Sequence, residues 1–289
     1  MSEGTVADLV GRLNGWLRRL MPEGPRRDRL TGALAVAADG RPVTAAACRR
    51  LEQVAWQHSR HLELQFDPAG RNPPDEEPRG WPAADPAATR IRAAGVSAVR
   101  RLDDGTALIV VDALESWAVA RPYVDAAFAL ARGSARVVLD LRANGGGDPA
   151  TVAAIAGWLL GDAAQELSEV VYRDRRRQWW TTDRPPGTAL TQDVSVLVAG
   201  RTYSSAEALA YHLQARGRAT VVGEATRGAA DHVTPVRLTP HVLGLLPEAY
   251  VRDARTGGNW EGTGVLPDLP CDADKALDVA LARAIPPSG

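Results

Sequence analysis

The sequence predicts an α/β protein in which a small N-terminal helical domain precedes a mixed, mainly parallel sheet core covered by helices. Apolar residues at helical spacing dominate about the first 60 positions. From about residue 95, short runs of Val, Ile and Leu alternate with helical patterns, which is typical of a parallel sheet buried on both faces. A segment rich in Pro and acidic residues separates the two regions. We therefore predict a helical domain over 1–66 that ends in a strand, a Pro-rich linker loop over 67–93 and an α/β core over 94–289.

The N-terminal domain is predicted to contain two helices and a strand. A second helix covers roughly Pro42 to His58, because proline suits the first turn of a helix. The stretch "HLELQF", His61–Phe66, alternates like a strand and ends the domain. The first helix runs from about Thr5 to Met21 and places these apolar side chains on one face: Val6, Leu9, Val10, Leu13, Leu17 and Leu20.

The predicted core begins with a strand in "TALIVVD", a helix in "RPYVDAAFALARG" and a strand in "ARVVLDL". A further apolar, β-branched run starts at Val194 and stops at Gly200, where two serines open another helical pattern. After Gly228 the pattern changes to short strands and turns. A last helix, from about Ala273 to Ala284, closes the chain.

Composition excludes several classes of partner. The chain has 289 residues and a formal net charge of -1, so nothing favours nucleic acid or an anionic membrane. Cys48 and Cys271 form neither a disulfide framework nor a zinc spacing, and the histidines show no metal-ligand motif, so we expect no metal and no cofactor. The first twenty residues lack the apolar core of a signal peptide, and no run approaches the roughly 20 apolar residues of a membrane span. These features predict a soluble, cytoplasmic protein.

The two serines after Gly200 have two readings. In "TYSSAEALAYHLQ" they stand at the start of a helix, where Ser204 or Ser205 could cap the first turn with Glu207 as its capping-box partner. A serine at this position also lies at the positive end of the helix dipole, beside N–H groups that could stabilise an oxyanion. The local sequence by itself favours the cap.

Two further stretches could carry chemistry. In "VVLDLRANGGGDP" a buried strand leads to Gly145, Gly146 and Gly147, which indicates a close approach of the backbone or an unusual conformation. The phosphate-binding motif is absent because it lacks its lysine. In "GGNWEGTGVLPD", Glu261 follows a tryptophan between glycine turns.

Taken together, these stretches resemble the S41 family of serine peptidases, which includes tail-specific peptidases, the tricorn core and interphotoreceptor retinoid-binding protein. The matching pieces, "VVLDLRANGGG", the stretch "VLVAGRTYSSAEALAYHLQARGRATVVGEATRGAADH" and "GGNWEGTGVLPD", follow one another in the family's order. The resemblance implies a ClpP/crotonase-like core. It also implies that Ser204, which stands three residues before Glu207, is the nucleophile as well as a helix-start residue.

The resemblance also bears on the base that activates the serine. Tail-specific members use a lysine within "GExTxGK", but here that position is Ala229, and Lys275 is the sole lysine of the chain. The span from 67 to 95 is also too short for the PDZ domain of those members. The chain is more similar to the tricorn and retinoid-binding branch, where a histidine in a short "HL" motif and a glutamate in a "WEG"-like loop act. These residues are His61 and Glu261.

We therefore expect Ser204 as nucleophile and His61 as general base, since a histidine titrates at about pH 6.5. Glu261 is the expected orienting group, directly or through another side chain or water. The expected oxyanion hole combines the N–H of Ser205 with one from Gly145 or Gly146. The alternative base is His232, which could equally be a residue that lines the cleft.

The predicted function is a serine peptidase that hydrolyses peptides or unfolded polypeptides through an acyl-enzyme. A second possibility is a carrier of hydrophobic small molecules, since the retinoid-binding protein uses this scaffold. A third is a peptide-tailoring hydrolase or cyclase in a biosynthetic pathway, which would need the same triad. The sequence leaves the substrate and the oligomeric state open.

Overall fold

The computed structural model describes residues 4–70, 73–78 and 80–284. It confirms the predicted α/β class, with helices around two sheets. Parts of the predicted domains lie outside the described residues: positions 1–3, positions 71–72 and 79 of the predicted linker, and positions 285–289. The described part of that linker includes a short helix over Pro86–Ile91.

The helices of the described residues begin and end as follows: α1 Val6–Leu20, α2 Pro25–Val36, α3 Ala45–Ala55, α4 Pro86–Ile91, α5 Trp117–Leu130, α6 Pro149–Leu160, α7 Ser205–Ala215 and α8 Ala276–Ala282. A single 3-10 turn occupies Ala93–Gly95. Among these residues, the structure contains no helix with the length and apolar character required to span a bilayer.

The strands are β1 Glu63–Phe66, β2 Val96–Arg101, β3 Ala107–Val111, β4 Arg136–Asp140, β5 Glu166–Tyr172, β6 Arg176–Trp180, β7 Asp193–Val198, β8 Thr220–Gly223, β9 His232–Thr239, β10 Val242–Asp253 and β11 Leu269–Pro270. The chain forms two compact units that are discontinuous in sequence. Unit 1 comprises 1–83, 170–177 and 230–251, and unit 2 comprises 84–169, 178–229 and 252–289.

Unit 1 is built on the amphipathic α1. The side chain of Thr5 accepts a hydrogen bond from the N–H of Asp8, and the Asp8 carboxylate accepts one from the N–H of Thr5, so the helix starts with a capping box. Its apolar face joins a core that includes Leu30 and Leu34 of α2. The predicted helix over 5–21 is therefore confirmed, whereas the second predicted helix is shorter and starts after Thr44, which caps α3.

Helix α2 has no counterpart among the predicted elements. Its first turns carry "RRDR", so charge hides a short apolar face that buries only Leu30, Thr31 and Leu34. The five-stranded sheet that includes β1 has the order β1-β10-β5-β6, with β9 also paired to β10. Strand β1 pairs antiparallel with β10 and starts at Glu63, so His61 lies just before the strand rather than within it.

Unit 2 contains a six-stranded sheet of order β11-β8-β7-β4-β3-β2. Strands β3, β4, β7, β8 and β11 run parallel to one another, and β2 pairs antiparallel with β3 at the edge. This arrangement confirms a mixed, mainly parallel sheet. Four neighbouring strands bury one apolar side chain each against α8: Leu108, Val138, Leu197 and Val222.

The parallel strands of unit 2 all end at the same edge of the sheet. The glycine loop of residues 142–147 leaves β4 there, and the loop of residues 199–204 leaves β7 beside it, since β4 and β7 are paired neighbours. Ligands and reacting groups of α/β sheets collect at the carboxyl ends of parallel strands. The topology therefore brings the two loops singled out in the sequence to one place.

Candidate functional site

Ser204 ends the loop after β7 and is the N-cap of α7. Its backbone has φ 56 and ψ -124, one of few non-glycine residues of the described chain with positive φ. Such a conformation costs roughly 1–3 kcal/mol and persists where the surroundings enforce it, most often at functional sites. The hydroxyl is thereby placed at the positive end of the α7 dipole.

Glu207 supplies much of that enforcement. Its fully buried carboxylate accepts hydrogen bonds from the N–H of Ser204 (2.8 Å) and the hydroxyl of Thr226 (2.5 Å). It also accepts from the N–H groups of Gly228 (2.6 Å) and Ala229 (3.0 Å). Burial raises the pKa of Glu207, and these hydrogen bonds oppose the rise. The predicted partnership of Glu207 with the serine cap is confirmed, and it extends to a second loop.

The glycine loop packs directly on Ser204. Gly146 has φ 98, and a Cβ atom built on it would lie 2.8 Å from Cβ of Ser204 and 2.9 Å from the carbonyl oxygen of Tyr203. The hydroxyl of Ser205 donates to the carbonyl oxygen of Gly147 at 2.7 Å. Only glycine fits at position 146, because both the conformation and the space exclude a side chain.

The backbone N–H groups of this loop have different partners. The N–H of Gly146 donates to Oδ1 of Asn144 at 2.8 Å, and Nδ2 of this fully buried asparagine donates to the carbonyl oxygen of Val111 at 2.9 Å. Of the two glycines predicted for an oxyanion hole, Gly145 is therefore the better candidate. Asn144 is not among the residues predicted from the sequence, although its position directly before the glycines is a signal that could have identified it.

The loop that carries Glu261 is anchored next to the residues that Glu207 holds. Nε1 of the buried Trp260 donates to the carbonyl oxygen of Ala229 at 3.1 Å, and the N–H of Gly262 donates to the carbonyl oxygen of Gly228 at 2.8 Å. Within unit 2, the loop that carries Glu261 is therefore hydrogen-bonded to the loop of residues 226–229. Glu207 joins that second loop to the backbone of Ser204. Tryptophan acts here as the anchor of the "NWEG" turn.

The buried His61 belongs to unit 1. Its Nδ1 lies 2.5 Å from the carbonyl oxygen of Asp231. A carbonyl oxygen can only accept, so Nδ1 carries the hydrogen, and in the neutral ring Nε2 keeps its lone pair. This is the tautomer that a general base needs if it is to take a proton at Nε2.

The carboxylate of Asp231 is held by a second set of contacts. Its side chain is 1% exposed and accepts two hydrogen bonds from the guanidinium of Arg26, at 2.6 and 2.5 Å. The hydroxyl of Ser59 donates to the same carboxylate at 2.9 Å. Arg26 and Asp231 are not predicted as partners from the sequence, because they are 205 positions apart and no local pattern joins them.

His232 follows Asp231 directly, and its ring contacts Tyr172 edge-on at 6.1 Å between ring centroids. Desolvation lowers the pKa of His232 to about 4, with the neighbouring His61 and Arg177 acting in the same direction. Such an imidazole is neutral at neutral pH but accepts a proton poorly. His61 is therefore the better candidate base of the two.

His212 has a structural role within unit 2. The buried ring donates from Nδ1 to Oδ2 of Asp253 at 2.7 Å, and Arg216 donates to the same oxygen at 2.9 Å. Burial lowers the pKa of His212, and the hydrogen bonds from His212 and Arg216 hold the pKa of Asp253 well below its usual range. The network fastens α7 to the turn that precedes the Glu261 loop.

The candidate site residues thus fall into two groups, each described within its own unit. Unit 2 brings together Ser204, Ser205 and the glycine loop, with the Glu261 loop linked to them. In unit 1, His61 is hydrogen-bonded to the carbonyl oxygen of Asp231, and His232 follows Asp231 in the chain.

Comparisons with known proteins place these features in context. The model of a family described as peptidase family S41 matches residues 97–271. A putative peptidase from Parabacteroides merdae is similar in structure, with 14% identity, a TM-score of 0.66 and coverage of 96% of each chain. A lipoprotein from Streptococcus agalactiae has 15% identity and a TM-score of 0.58, with coverage of 98% of this chain and 96% of that chain.

A photosystem II D1 C-terminal processing protease has 24% identity and a TM-score of 0.48, with coverage of 58% of this chain and 43% of that chain. The present chain therefore spans less than half the length of that protease.

Proposed function

Because the chain belongs to peptidase family S41, we propose that it is a serine peptidase that cleaves peptides or unfolded polypeptide segments, with Ser204 as its nucleophile. The observation that carries the proposal is the backbone of Ser204, held at positive φ at the start of α7 and packed against a glycine loop. A helix cap alone needs no such strain, since an N-cap is ordinarily extended. A nucleophile that must present its hydroxyl at a fixed point accounts for it.

In the proposed reaction, Oγ of Ser204 attacks the carbonyl carbon of the scissile peptide bond and its proton passes to Nε2 of His61. The C–N bond then breaks, and the amine leaves with that proton. The remaining ester on Ser204 is hydrolysed by water, which His61 deprotonates, and the proton returns to Oγ as the acid product leaves.

The oxyanion of the tetrahedral intermediate would be stabilised by two backbone N–H groups. Ser205 is the first residue of α7, and the first N–H groups of a helix lack intrahelical partners. Gly145 supplies the second donor, because the N–H of Gly146 is engaged by Asn144. The dipole of α7 favours negative charge at the same point.

We propose His61 rather than His232 or a lysine as the base. The Nδ1–H of His61 donates to a carbonyl group, which favours an unprotonated Nε2, and the low pKa of His232 argues against His232 as the base. Lys275 stands at the start of α8 and pairs with Asp272 at 2.9 Å. This assignment favours the family branch without the Ser–Lys dyad and without a PDZ domain.

Glu261 is proposed to act at one remove from the imidazole. Because Nδ1 of His61 already donates to Asp231, we assign Glu261 a role through another side chain or water. Its loop position is defined by the Trp260 anchor. The proposed substrate class, peptides or unfolded polypeptide segments, follows from the family.

Active-site labelling with a fluorophosphonate, followed by intact mass, tests the proposal. We expect one adduct on the wild type and none on Ser204→Ala, with a strongly reduced rate for His61→Ala and a smaller reduction for Glu261→Ala. Ser205→Ala is the matched control, since it changes the adjacent hydroxyl and keeps the backbone N–H. An adduct that survives in Ser204→Ala would overturn the assignment, and loss in His232→Ala but not in His61→Ala would move the base to His232. A carrier would leave Ser204 unlabelled in the folded protein.

A further inference from the structure

Arg26 connects both sides of the hydrogen bond that fixes His61. Its Nε donates to the carbonyl oxygen of His58 at 3.0 Å, three residues before His61 in the chain. Its two terminal nitrogens donate to the carboxylate of Asp231, whose own carbonyl oxygen accepts from His61. One guanidinium therefore holds the segment that carries the imidazole and the residue that receives its hydrogen.

Ser59 adds a second link between the same two segments. Its hydroxyl donates to Oδ2 of Asp231, and its N–H donates to the carbonyl oxygen of Ala55 at the end of α3. Ser59 is 1% exposed, so the contact is sheltered from water. The segment of residues 58–61 is thus fastened to Asp231 by the guanidinium, the serine hydroxyl and the imidazole.

We propose that Arg26 and Asp231 are positioning residues that hold His61 as the tautomer with hydrogen on Nδ1 and none on Nε2; this rests on the proposed role of His61 as base. A carbonyl acceptor fixes the tautomer only while its peptide plane keeps its direction. The side chain of Asp231 sets that plane, because its carboxylate is clamped by a bidentate guanidinium. In many triads a carboxylate side chain orients the histidine directly. Here the carboxylate orients the backbone group that does so.

The chemistry of the clamp favours arginine over any other cation. A guanidinium offers several N–H donors in a rigid plane, and here three of its nitrogens are used, two on the carboxylate and one on the carbonyl oxygen of His58. A lysine could supply the charge but only one contact point. Mere charge balance for the buried carboxylate would not require the contact to His58.

The first test reads the tautomer of His61 in protein labelled with 15N, by long-range correlation between ring nitrogens and carbon-bound hydrogens. In the wild type we expect hydrogen on Nδ1 of His61. In Asp231→Asn, where the backbone carbonyl remains but the clamp loses its charge, we expect a mixture of tautomers. A wild type with hydrogen on Nε2, or an Asp231→Asn variant with an unchanged spectrum, would overturn the proposal.

The second test is kinetic and separates binding from reaction. With the fluorophosphonate, we expect Asp231→Asn and Arg26→Ala to lower the maximal rate of adduct formation about 10- to 100-fold, with an unchanged half-saturating concentration, because a misoriented base loses part of the usual general-base contribution. Arg26→Lys should be intermediate. Guanidinium added well below denaturing concentrations should restore part of the rate in Arg26→Ala. Unchanged rates in folded variants would contradict a positioning role.

The matched control is Arg27→Ala. Arg27 neighbours Arg26 on α2 but pairs with Glu23 and Asp28, so its loss should leave the rate and tautomer unchanged, and guanidinium should have no effect. If Arg26→Ala fails to fold, Asp231→Asn and Ser59→Ala still decide the question. An unlabelled wild type would refute the proposed function, while the tautomer measurement would still decide the role of the clamp.

Discussion

The geometry of the candidate site in unit 2 depends on unusual backbone conformations at single residues. Ser204 adopts positive φ without being glycine, and Gly146 adopts positive φ with its α-carbon pressed against the serine. The positive φ of Ser204 is unfavourable for a residue with a side chain and persists because the surrounding structure enforces it. At Gly146 positive φ carries no steric penalty, and glycine is required because a Cβ atom would meet Ser204. The strain of the serine and the absence of a side chain at Gly146 are two aspects of one packing contact.

Replacement of Ser204 tests this strain. Ser204→Ala and Ser204→Gly both remove the hydroxyl, so both should abolish labelling. Glycine adopts φ 56 without the steric penalty of a Cβ atom, although it has more conformational entropy in the unfolded state. With both effects counted, we expect the free energy of unfolding of Ser204→Gly to be about 1 kcal/mol higher than that of Ser204→Ala. Denaturant unfolding of the two variants measures the difference, and a more stable alanine variant would contradict the conformation.

The glycine loop offers a matched pair of substitutions. Gly146→Ala would force a Cβ to within 2.8 Å of the Ser204 side chain, and we expect a loss of about 2–5 kcal/mol together with lost labelling. Gly145→Ala meets no atom within 4 Å and keeps the N–H proposed for the oxyanion hole. It should retain stability to within about 1 kcal/mol and retain labelling. Equal effects at the two positions would exclude this packing.

Among elements, α7 is held at its first turn by a single buried carboxylate. Glu207 joins the start of the helix to the loop of residues 226–229, and that loop in turn receives Trp260. At the other end of α7, His212 and Arg216 join the helix to Asp253. Helix α7, which begins directly after the proposed nucleophile Ser204, is therefore fixed at both ends by polar groups that are almost fully buried.

Glu207→Gln tests the anchor of α7. The amide keeps the volume but replaces an acceptor oxygen with a donor that faces N–H and O–H groups, so we expect the free energy of unfolding to fall by about 2–4 kcal/mol. Labelling should slow, since the N–H of Ser204 loses its partner. Glu115→Gln, at a partly exposed pair with Arg92, should cost no more than about 1 kcal/mol. Thermal or denaturant unfolding compares the two variants.

For the whole molecule, desolvated histidines make the fold sensitive to acid. Both His212 and His232 have lowered pKa values, because burial disfavours the charged ring. When the pH is below the ordinary pKa of histidine, a ring whose folded-state pKa is lowered binds fewer protons in the folded state than in the unfolded state. Stability is therefore complete above about pH 6.5 and declines as the pH falls toward the folded pKa. The low pKa of Asp253 adds a loss at still lower pH.

The size of the effect can be measured at His232. Its folded pKa of about 4 corresponds to a loss on the order of 3 kcal/mol between pH 6.5 and 4, so His232→Asn should flatten the profile of unfolding free energy over that window. His241→Asn is the control, since that half-buried ring stacks on Phe66 elsewhere in unit 1. Equal slopes for wild type and His232→Asn would refute the lowered pKa of this ring.

The sequence by itself determined the features that local spacing encodes. Apolar runs identified the strands of unit 2, the stripe from Val6 to Leu20 identified α1, and the three-residue spacing of Ser204 and Glu207 identified the start of α7. These predictions succeed because hydrophobic periodicity and helix capping depend on residues only a few positions apart. The charged start of α2 hid its short apolar face, so this helix was missed.

Only the tertiary structure decided which distant groups meet. The contacts of Arg26 with Asp231 and of Asn144 with Val111 depend on how strands are ordered and where loops leave them. The sequence predicted Gly145 and Gly146 equally as donors of an oxyanion hole. The structure distinguishes them, because the N–H of Gly146 already donates to Asn144. Hydrogen bonds between segments far apart in the chain leave no periodic pattern in the sequence. Their partners are set by topology and by the requirement that buried polar groups be satisfied.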